Sequence, residues 1–519
     1  MMSFKACMKS SRKSLRNIYP RVTSVRGSFL GRTFEQVFIL SATHALSGIL
    51  VLGTFILLAN KLGPDLYGEF TFADSVVFIG VLCASLGTEY VGNREVARTT
   101  DARELVSGIL ILRTLASVTA FAVISLWAFL FTESESLRAL MLITGGVLLT
   151  VPGIAGWFFL ARHKIKTVAA VTLVREAAFF LPVFFILDRV DDPEGRLVYA
   201  AVFYLASKLL FAGIFFIRVL AENGFTLKVG AATYRLILKD SLALLYASLV
   251  SSVTISAQVY MLKLLGDDYS LGVYGALFKQ IFYIQMLSLS FIMVFFPLLS
   301  KAWVENRIRY ERLASALSEL TLVVVLPVAM TGILYPDYLL GLFFTEEYAS
   351  GAAALQVLCL SLIPMSYVRV LTTGVLISMD MTSKMYSLVN ITFVATVISG
   401  VLIIVFQRAD LGASVSRLAT EVVFAAVSYW TVAKRVRVIS YGVLRSLLAG
   451  TAAMATVRLI TPAEHALAGI AASYAAFFTV YLLVVYYTRL QEFKELFRSR
   501  LDAKGRVSCR QILIGREET

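Results

Sequence analysis

The stretch that decides the fold runs from Leu58 to Arg98 and reads LANKLGPDLYGEFTFADSVVFIGVLCASLGTEYVGNREVAR. It contains the end of one apolar run, a short turn at Leu62–Asp65, a second apolar run and a basic edge at Arg94 and Arg98. A short loop with Gly-Pro cannot continue either helix. The stretch therefore predicts two antiparallel membrane helices joined by a turn on the outer side of the membrane.

A similar stretch, LKLLGDDYSLGVYGALFK, occurs at Leu262–Lys279. Its Leu265-Gly266 and Tyr274-Gly275 pairs repeat the Leu-Gly and Tyr-Gly pairs of the first stretch, again between two apolar runs. The two copies are about 200 residues apart, which is the length of about six membrane helices with their loops. This repeat predicts two structurally similar halves of one transporter.

The same residues resemble the signature of a known family. The pattern LGP..YG.F, followed by LGTE and NREVAR, is similar to the opening signature of the oligosaccharide (polysaccharide) flippase family. That family belongs to the superfamily that also contains multidrug and toxic-compound extruders and lipid II flippases. The resemblance covers nearly all of the chain after residue 35, and its later parts are Tyr274-Gly275, Phe296-Pro297, Gly341–Phe343 and Glu347–Ala349.

The resemblance implies a function and a set of partners. The protein would move a polyprenyl-(pyro)phosphate-linked oligosaccharide, on an undecaprenyl or dolichyl lipid, from the inner to the outer leaflet by alternating access. Its partners would be that lipid-linked oligosaccharide and the membrane lipids, with a polysaccharide polymerase or an oligosaccharyltransferase as a candidate protein partner. Such transport needs no covalent catalysis, so we expect no enzyme activity.

Composition places the chain in the membrane. Of its 519 residues 58% are hydrophobic and only 16% are charged, and the mean hydropathy is +0.78. These values are too apolar for a soluble protein of this length. The four cysteines and three histidines show no spacing typical of a metal site or a disulfide framework, so we expect no metal and no cofactor.

Apolar windows of about 20 residues predict an all-α integral membrane protein with about 14 membrane-spanning helices. The spans are expected to begin near residues 37, 70, 105, 138, 167, 197, 241, 272, 318, 352, 385, 411, 440 and 466. We therefore divide the chain into a basic cytoplasmic tail (1–35), an N-terminal six-helix lobe (36–220), a cytoplasmic linker (221–240), a pseudo-symmetric C-terminal six-helix lobe (241–435), an extra helix pair (436–490) and a second basic cytoplasmic tail (491–519).

The distribution of basic residues tests this topology independently. With both termini in the cytoplasm, 35 of the 48 Lys and Arg residues lie in inner segments, 7 lie in or beside outer loops and 6 lie within spans. Positive charge is enriched on the cytoplasmic side of membrane proteins. The sequence thus predicts a multi-pass protein of the cytoplasmic membrane with both ends inside. The net charge of +14 then fits binding to anionic lipids and not to nucleic acid.

Six cations within the predicted spans are the candidate functional residues: Arg113, Arg175, Lys208, Lys279, Arg369 and Arg417. A lone cation in hydrocarbon costs at least about 2.5 to 3.5 kcal/mol at the centre of a bilayer. Lys208 and Arg369 lie deepest. Arg417 is expected to pair with Glu421 one turn away on the same helix. An interhelical ion pair would explain any single member of the set as well as a role in binding substrate.

The remaining five cations predict a central cavity for a phosphate or pyrophosphate headgroup: Lys208, Arg369, Arg175, Arg113 and Lys279. Within the spans few carboxylates are available to neutralise them, and Glu176, next to Arg175, is expected to point to another face. An excess of buried positive charge favours an anionic ligand. The Phe and Tyr side chains of the spans are assigned to lipid contacts or core packing.

The seventh span is rich in Ser and Thr, which suits either the wet wall of a cavity or contacts between helices. Many members of the family have an Asp near its end, where this chain has Gln258, so coupling to a cation through such a carboxylate is in doubt.

Three alternatives remain open. A cation-coupled multidrug extruder of the same superfamily would need acids and aromatic residues in its cavity. A membrane glycosyltransferase or polymerase would need an acidic catalytic pair in a large outer loop, and a scaffold without transport would give no reason to bury Lys208 and Arg369.

Overall fold

The computed structural model of the protein describes Thr43, residues 46–99, 101–132 and 134–436, and a few single positions between 475 and 486. Regular secondary structure within these residues is helical, without strands. Ten helices there are long and apolar enough to cross a membrane, and an eleventh span results if the bent pair Asp268–Met286 and Phe291–Glu305 is counted as one. The predicted fold class, an all-α integral membrane protein, is confirmed.

The α-helices are α1 (46–85), α2 (Thr88–Arg98), α3 (Arg103–Phe131), α4 (Glu135–Gly145), α5 (Gly156–Ala161), α6 (Ile165–Phe185), α7 (Pro193–Asn223), α8 (Ala231–Leu265), α9 (Asp268–Glu305), α10 (Arg307–Leu334), α11 (Pro336–Phe343), α12 (Ala352–Arg369), α13 (Thr382–Ser399), α14 (Val401–Val405) and α15 (Ala409–Ala433). Three 3₁₀ segments lie between them, at Gly146–Gly153, Leu187–Arg189 and Glu346–Gly351. A π-helical segment, Val370–Leu376, follows α12.

The helical path of α1 turns back at Gly63, whose φ is +74°. Phe55, before this residue, contacts the ring of Phe179, and Phe70, after it, contacts the ring of Tyr204. The rings of Phe179 and Tyr204 are themselves only 5.4 Å apart. Both arms of α1 therefore lie along the same part of α6 and α7, and the long helical run Leu46–Arg98 accounts for two of the predicted spans.

The chain divides into two compact units, Met1–Val259 and Tyr260–Thr519. The division falls within α8, whereas the connection between α7 and α8 is the stretch 224–230. The predicted lobe boundaries and the number of 14 spans stay predictions. The spans expected near residues 440 and 466, and both basic tails, lie mostly or wholly outside the described residues.

In the first unit α7 packs against α4, α6 and the Gly146–Gly153 segment, while α2 packs against α3 and α5. The core where these helices meet contains Ile109, Phe159 and Phe215, all completely buried. The rings of Phe159 and Phe215 stack at 5.2 Å. Aromatic packing thus joins the short helix α5 to α7.

In the second unit α12 packs along α9, α10 and α15, and α13 packs along α15. Its core contains Leu299, Tyr310 and Val375. The Tyr310 hydroxyl donates to the Val375 carbonyl at 3.0 Å. The same carbonyl also accepts from the Met379 N–H at 3.2 Å and from the Ser378 hydroxyl at 2.9 Å, so the Tyr310 bond connects α10 to a carbonyl of the π-helical segment that is already satisfied.

Candidate functional site

A cavity of about 580 Å³ lies in the first unit among α2, α5, α6 and α7, and we call it the α2–α7 cavity. Its polar side chains come from one face of α2, where Glu89, Tyr90, Asn93 and Arg94 line it. Its other lining residues are apolar or aromatic: Ile154, Gly156, Trp157, Leu160, Val168, Phe211 and Phe215. The volume lies within the range of small-molecule sites, roughly 300–1,000 Å³. The cavity is therefore our candidate site.

The orientation of α2 depends on a break in the helical path before it. Leu86 and Gly87 both take left-handed conformations, with φ of +52° and +67°. Gly87 also lies against α8, where an added Cβ would be 2.5 Å from the carbonyl oxygen of Ser241. Only glycine combines a left-handed φ with such a close approach at no steric cost. Gly87 thus fixes where α2 begins and which of its faces lines the cavity.

Arg113, one of the predicted cations, is completely buried on α3 behind the wall of the cavity. Its Nε donates to Thr88 Oγ1 at 2.8 Å, and its Nη1 donates to the Ile154 carbonyl at 2.9 Å. Its Nη2 lies 3.7 Å from Glu89 Oε1, and its guanidinium carbon lies 5.8 Å from the ring centroid of Trp157. Arg113 therefore holds together three segments that border the cavity. Its role in binding substrate stays a prediction.

Arg175 on α6 lies over the ring of Phe211, 4.7 Å from its centroid. We expected Glu176 to point to another face, and this expectation is wrong. Arg175 Nε donates to Glu176 Oε1 at 3.0 Å, and Arg175 Nη2 contacts the same oxygen. Adjacent Cβ atoms do diverge on a helix, but the long arginine side chain bends back far enough to reach its neighbour.

Lys208 on α7 lies over the ring of Tyr204, 4.7 Å from its centroid, and one turn before Phe211. The Tyr204 hydroxyl donates to Asp74 Oδ1 at 2.8 Å. All three predicted cations of the first unit therefore lie near aromatic rings at distances typical of cation–π contacts. The rings beneath Arg113 and Arg175 also line the α2–α7 cavity.

The other two predicted site residues belong to the second unit. Arg369 ends α12, where it is attracted by Glu421 and repelled by Arg417. Lys279 is partly buried on α9. The structure thus places the five predicted cations in two units, and their meeting in one common cavity stays a prediction.

The predicted intrahelical pair on α15 is confirmed, because Arg417 Nη2 contacts Glu421 Oε1. Only 2% of the Arg417 side chain and 6% of the Glu421 side chain are exposed. The guanidinium lies 5.0 Å from the ring centroid of Phe278. Arg417 Nε and Nη1 have no hydrogen-bond partner among the described residues. The pair is an ionic contact inside the helical core of the second unit.

Two further polar residues are also buried: Gln258, which was considered in the sequence analysis, and Glu319, which was not. Gln258 on α8 is 0% exposed, and neither of its side-chain amide atoms has a hydrogen-bond partner in the described part of the chain. Glu319 on α10 is 6% exposed and was not counted among the carboxylates of the spans. The number of acids available inside the spans is thus larger than we expected.

The aromatic lining residues could not be identified from the sequence, because aromatic side chains in membrane spans usually contact lipid or pack in the core. One available signal was the run Pro152–Gly156, which interrupts a helix just before Trp157. A second signal was the polar pair Asn93 and Arg94, which follows the Leu86-Gly87 pair at the end of an apolar run. Neither signal alone would have shown that the two segments face each other.

A metal centre is not part of the described site. Over the described residues, no group of three or more His, Cys, Asp or Glu side chains could hold a metal ion. Cys83 and Cys359 are free thiols, one partly buried and one buried.

The many apolar spans define the class of the protein as an α-helical integral membrane protein. The chain is similar in fold to a lipid II flippase, MurJ, in an inward closed conformation, with a TM-score of 0.73 and 12% sequence identity over 88% of this chain and 100% of that chain. It is also similar to an inward-facing multidrug resistance MATE family transporter of the MOP superfamily, with a TM-score of 0.61 and 13% identity over 77% of this chain and 98% of that chain.

Residues 34–303 match the family model for polysaccharide biosynthesis proteins, which is more than half of the chain. The protein belongs to this family. Its fold is shared with the MurJ and MATE structures. No curated protein sequence matches the chain.

Proposed function

We propose that the protein moves a polyprenyl-(pyro)phosphate-linked oligosaccharide across the cytoplasmic membrane, with both termini in the cytoplasm, for the assembly of a polysaccharide or a glycoprotein glycan. Membership of the polysaccharide biosynthesis family supports the substrate class. The similarity to a lipid II flippase over the whole length of that chain supports the mode of action, because that protein is itself a flippase.

The mechanism is alternating access. A hydrated cavity shields the sugar-phosphate head while the lipid tail stays in the bilayer. The cavity opens to one side of the membrane and then to the other. This motion removes the free-energy cost of moving a polar, charged head through hydrocarbon. Of the five predicted cations, Lys208, Lys279 and Arg369 attract the phosphate groups, whereas Arg113 and Arg175 contact Glu89 and Glu176.

The carboxylates near the α2–α7 cavity help to distinguish between this substrate and an organic cation. Glu89 lies 3.7 Å from Arg113, and Glu176 is paired with Arg175. Because arginines already neutralise both acids, neither is left to attract a cationic drug. This arrangement favours a lipid-linked sugar over the drugs of a multidrug extruder, although the fold itself fits both.

A membrane glycosyltransferase or polymerase is a second alternative from a different class. It would need an acidic catalytic pair in a large loop outside the membrane. The longest non-helical connection in the described residues is 224–230, which is too short for a catalytic domain.

The test is the amount and leaflet location of lipid-linked oligosaccharide in cells that lack the protein. We expect build-up in the cytoplasmic leaflet, rescued by the wild type and not by Lys208→Ala plus Arg369→Ala, provided that the variant inserts stably. Lys228→Ala plus Arg235→Ala is the matched control, because it removes two exposed cations outside the cavity and should rescue fully.

Each outcome decides one part of the proposal. Rescue by the Lys208 and Arg369 variant would keep the flippase and remove these two cations from its site. An absence of build-up in the deleted cells would overturn the proposed substrate and favour drug export.

A further inference from the structure

The two walls of the α2–α7 cavity differ in chemistry. On the α2 side, Glu89 and Asn93 present carboxylate and amide groups to it. On the opposite side it is bounded by the rings of Trp157, Phe211 and Phe215. A ligand that fits must therefore have hydrogen-bonding groups on one side and an apolar face on the other.

The charge of the lining is balanced. Glu89 and Arg94 are its two charged residues. Glu89 lies 3.7 Å from the buried Arg113, and Arg94 Nε donates to Glu95 at 2.7 Å. Each charge thus has an opposite charge beside it. The cavity offers no excess charge to a phosphate or to an organic cation, and this favours a neutral polar ligand.

Trp157 is held in a fixed position in the aromatic wall. Its side chain is only 6% exposed, and its Nε1 has no hydrogen-bond partner among the described residues. An indole N–H can only donate, and a buried donor without an acceptor is rare in proteins. The ring is held against α2 at Gly92, where an added Cβ would lie 2.6 Å from the indole. This packing fixes the ring as part of the aromatic wall of the cavity.

We propose that the α2–α7 cavity binds a neutral sugar ring, with its C–H face against the aromatic wall and its hydroxyls on Asn93 and Glu89. A pyranose has this combination of an apolar face and a polar rim, and the volume of about 580 Å³ accommodates it. This inference rests on the proposed function and refines it, because it assigns the glycan to a subsite separate from the cations that attract phosphate.

The first measurement is binding by the purified full-length protein, read by the fluorescence of Trp157 after Trp127, Trp303 and Trp430 are replaced by Phe. The probes are glucose, galactose, mannose, N-acetylglucosamine and the neutral glycan released by mild acid from the lipid-linked pool of the host cells. Inorganic pyrophosphate and tetraphenylphosphonium are the charged comparisons. We expect saturable binding of at least one neutral sugar and no response to either ion.

Two variants test the site itself. Asn93→Ala removes a hydrogen-bonding group and should weaken sugar binding by about five- to tenfold. Tyr90→Ala removes a lining ring that is 70% exposed, and Tyr199→Ala, which removes a 48% exposed ring from α7 outside the lining, is its matched control. We expect Tyr90→Ala to weaken binding and Tyr199→Ala to leave it unchanged.

The results separate this inference from the proposed function. Binding of pyrophosphate or tetraphenylphosphonium in place of sugar, or equal sugar binding by wild type and Asn93→Ala, would overturn the sugar subsite whatever the cells show. Sugar binding lost in Asn93→Ala would support the subsite even in a host whose lipid-linked oligosaccharide does not build up on deletion, a result that would overturn the proposed function alone.

Discussion

Arg417 and Glu421 show what a buried ion pair requires of its surroundings. The two residues are one turn apart on α15, almost fully buried, and Arg417 keeps two nitrogens without a hydrogen-bond partner in the described structure. Removing one member of such a pair leaves the other charge uncompensated. We expect Glu421→Ala to lower the free energy of unfolding by about 3–5 kcal/mol, measured by denaturant unfolding in detergent.

The control for Glu421→Ala is Glu311→Ala. Glu311 pairs with Arg307 at the same i,i+4 spacing on α10, at 3.7 Å, but both side chains are substantially exposed. This substitution should cost less than about 1 kcal/mol. Similar losses in the two variants would show that burial does not set the cost. The double replacement Arg417→Met plus Glu421→Leu should be less destabilising than Glu421→Ala alone, since it removes both charges.

The sequence predicted the candidate residues to different extents. The pair Arg417–Glu421 could be predicted because both residues are on one helix at a known spacing. The ring contact between Arg175 and Phe211 could not, because it joins α6 to α7 and depends on how these helices pack. The adjacent positions of Arg175 and Glu176 also led to the wrong expectation that their side chains point to different faces. Spacing along a helix describes where the Cβ atoms point, and not where the long Arg175 side chain ends.

At the scale of elements, the break before α2 determines the shape of the candidate site. Gly87→Ala would place a side chain at a φ of +67° and 2.5 Å from the Ser241 carbonyl oxygen. We expect it to cost about 2–4 kcal/mol of folding free energy and to change the fluorescence of Trp157, because α2 must shift. Thermal unfolding in detergent and fluorescence measure the two effects.

Gly213→Ala is the matched control for the Gly87 substitution. Gly213 lies within α7, and an added Cβ there would meet nothing within 4 Å. Replacing it should stabilise the protein by about 0.5–1 kcal/mol, because alanine favours the helix. A loss of stability at Gly213 as large as that at Gly87 would mean that backbone conformation is not the cause.

The two turns of the first stretch were not equally predictable. Gly63-Pro64 contains a residue that ends helices, and the structure has the chain reversal there. Leu86-Gly87 lies inside an apolar run with no proline, and Leu86 takes a conformation that is uncommon for a residue with a Cβ. Contacts with α8 over a separation of more than 150 residues hold this break, so local sequence could not indicate it.

For the whole molecule, the distribution of basic residues predicts which side faces the cytoplasm. Asp191, between α6 and α7, and Lys228, between α7 and α8, are both exposed and lie at opposite ends of α7. In a variant without the four native cysteines, a membrane-impermeant maleimide added to intact cells should label Asp191→Cys and not Lys228→Cys. Lysed cells, in which both should react, are the control.

Labelling of Lys228→Cys alone in intact cells would reverse the predicted orientation.

The membrane class and the helical architecture could be predicted from composition and apolar windows, because the bilayer sets the length of every span. The packing of helices within each unit could not be predicted, because it depends on contacts between residues far apart in the sequence, such as those between α12 and α15.

The π-helical segment Val370–Leu376, which follows Arg369, affects how this chain should be aligned with its relatives. A π-turn uses one more residue than an α-turn, so a helical wheel drawn through residues 352–376 as one α-helix assigns the later residues to the wrong face. In a relative with an unbroken α-helix, a one-residue gap in this segment would restore the register. A single-residue deletion within 370–376 should accordingly be better tolerated than one inside α12.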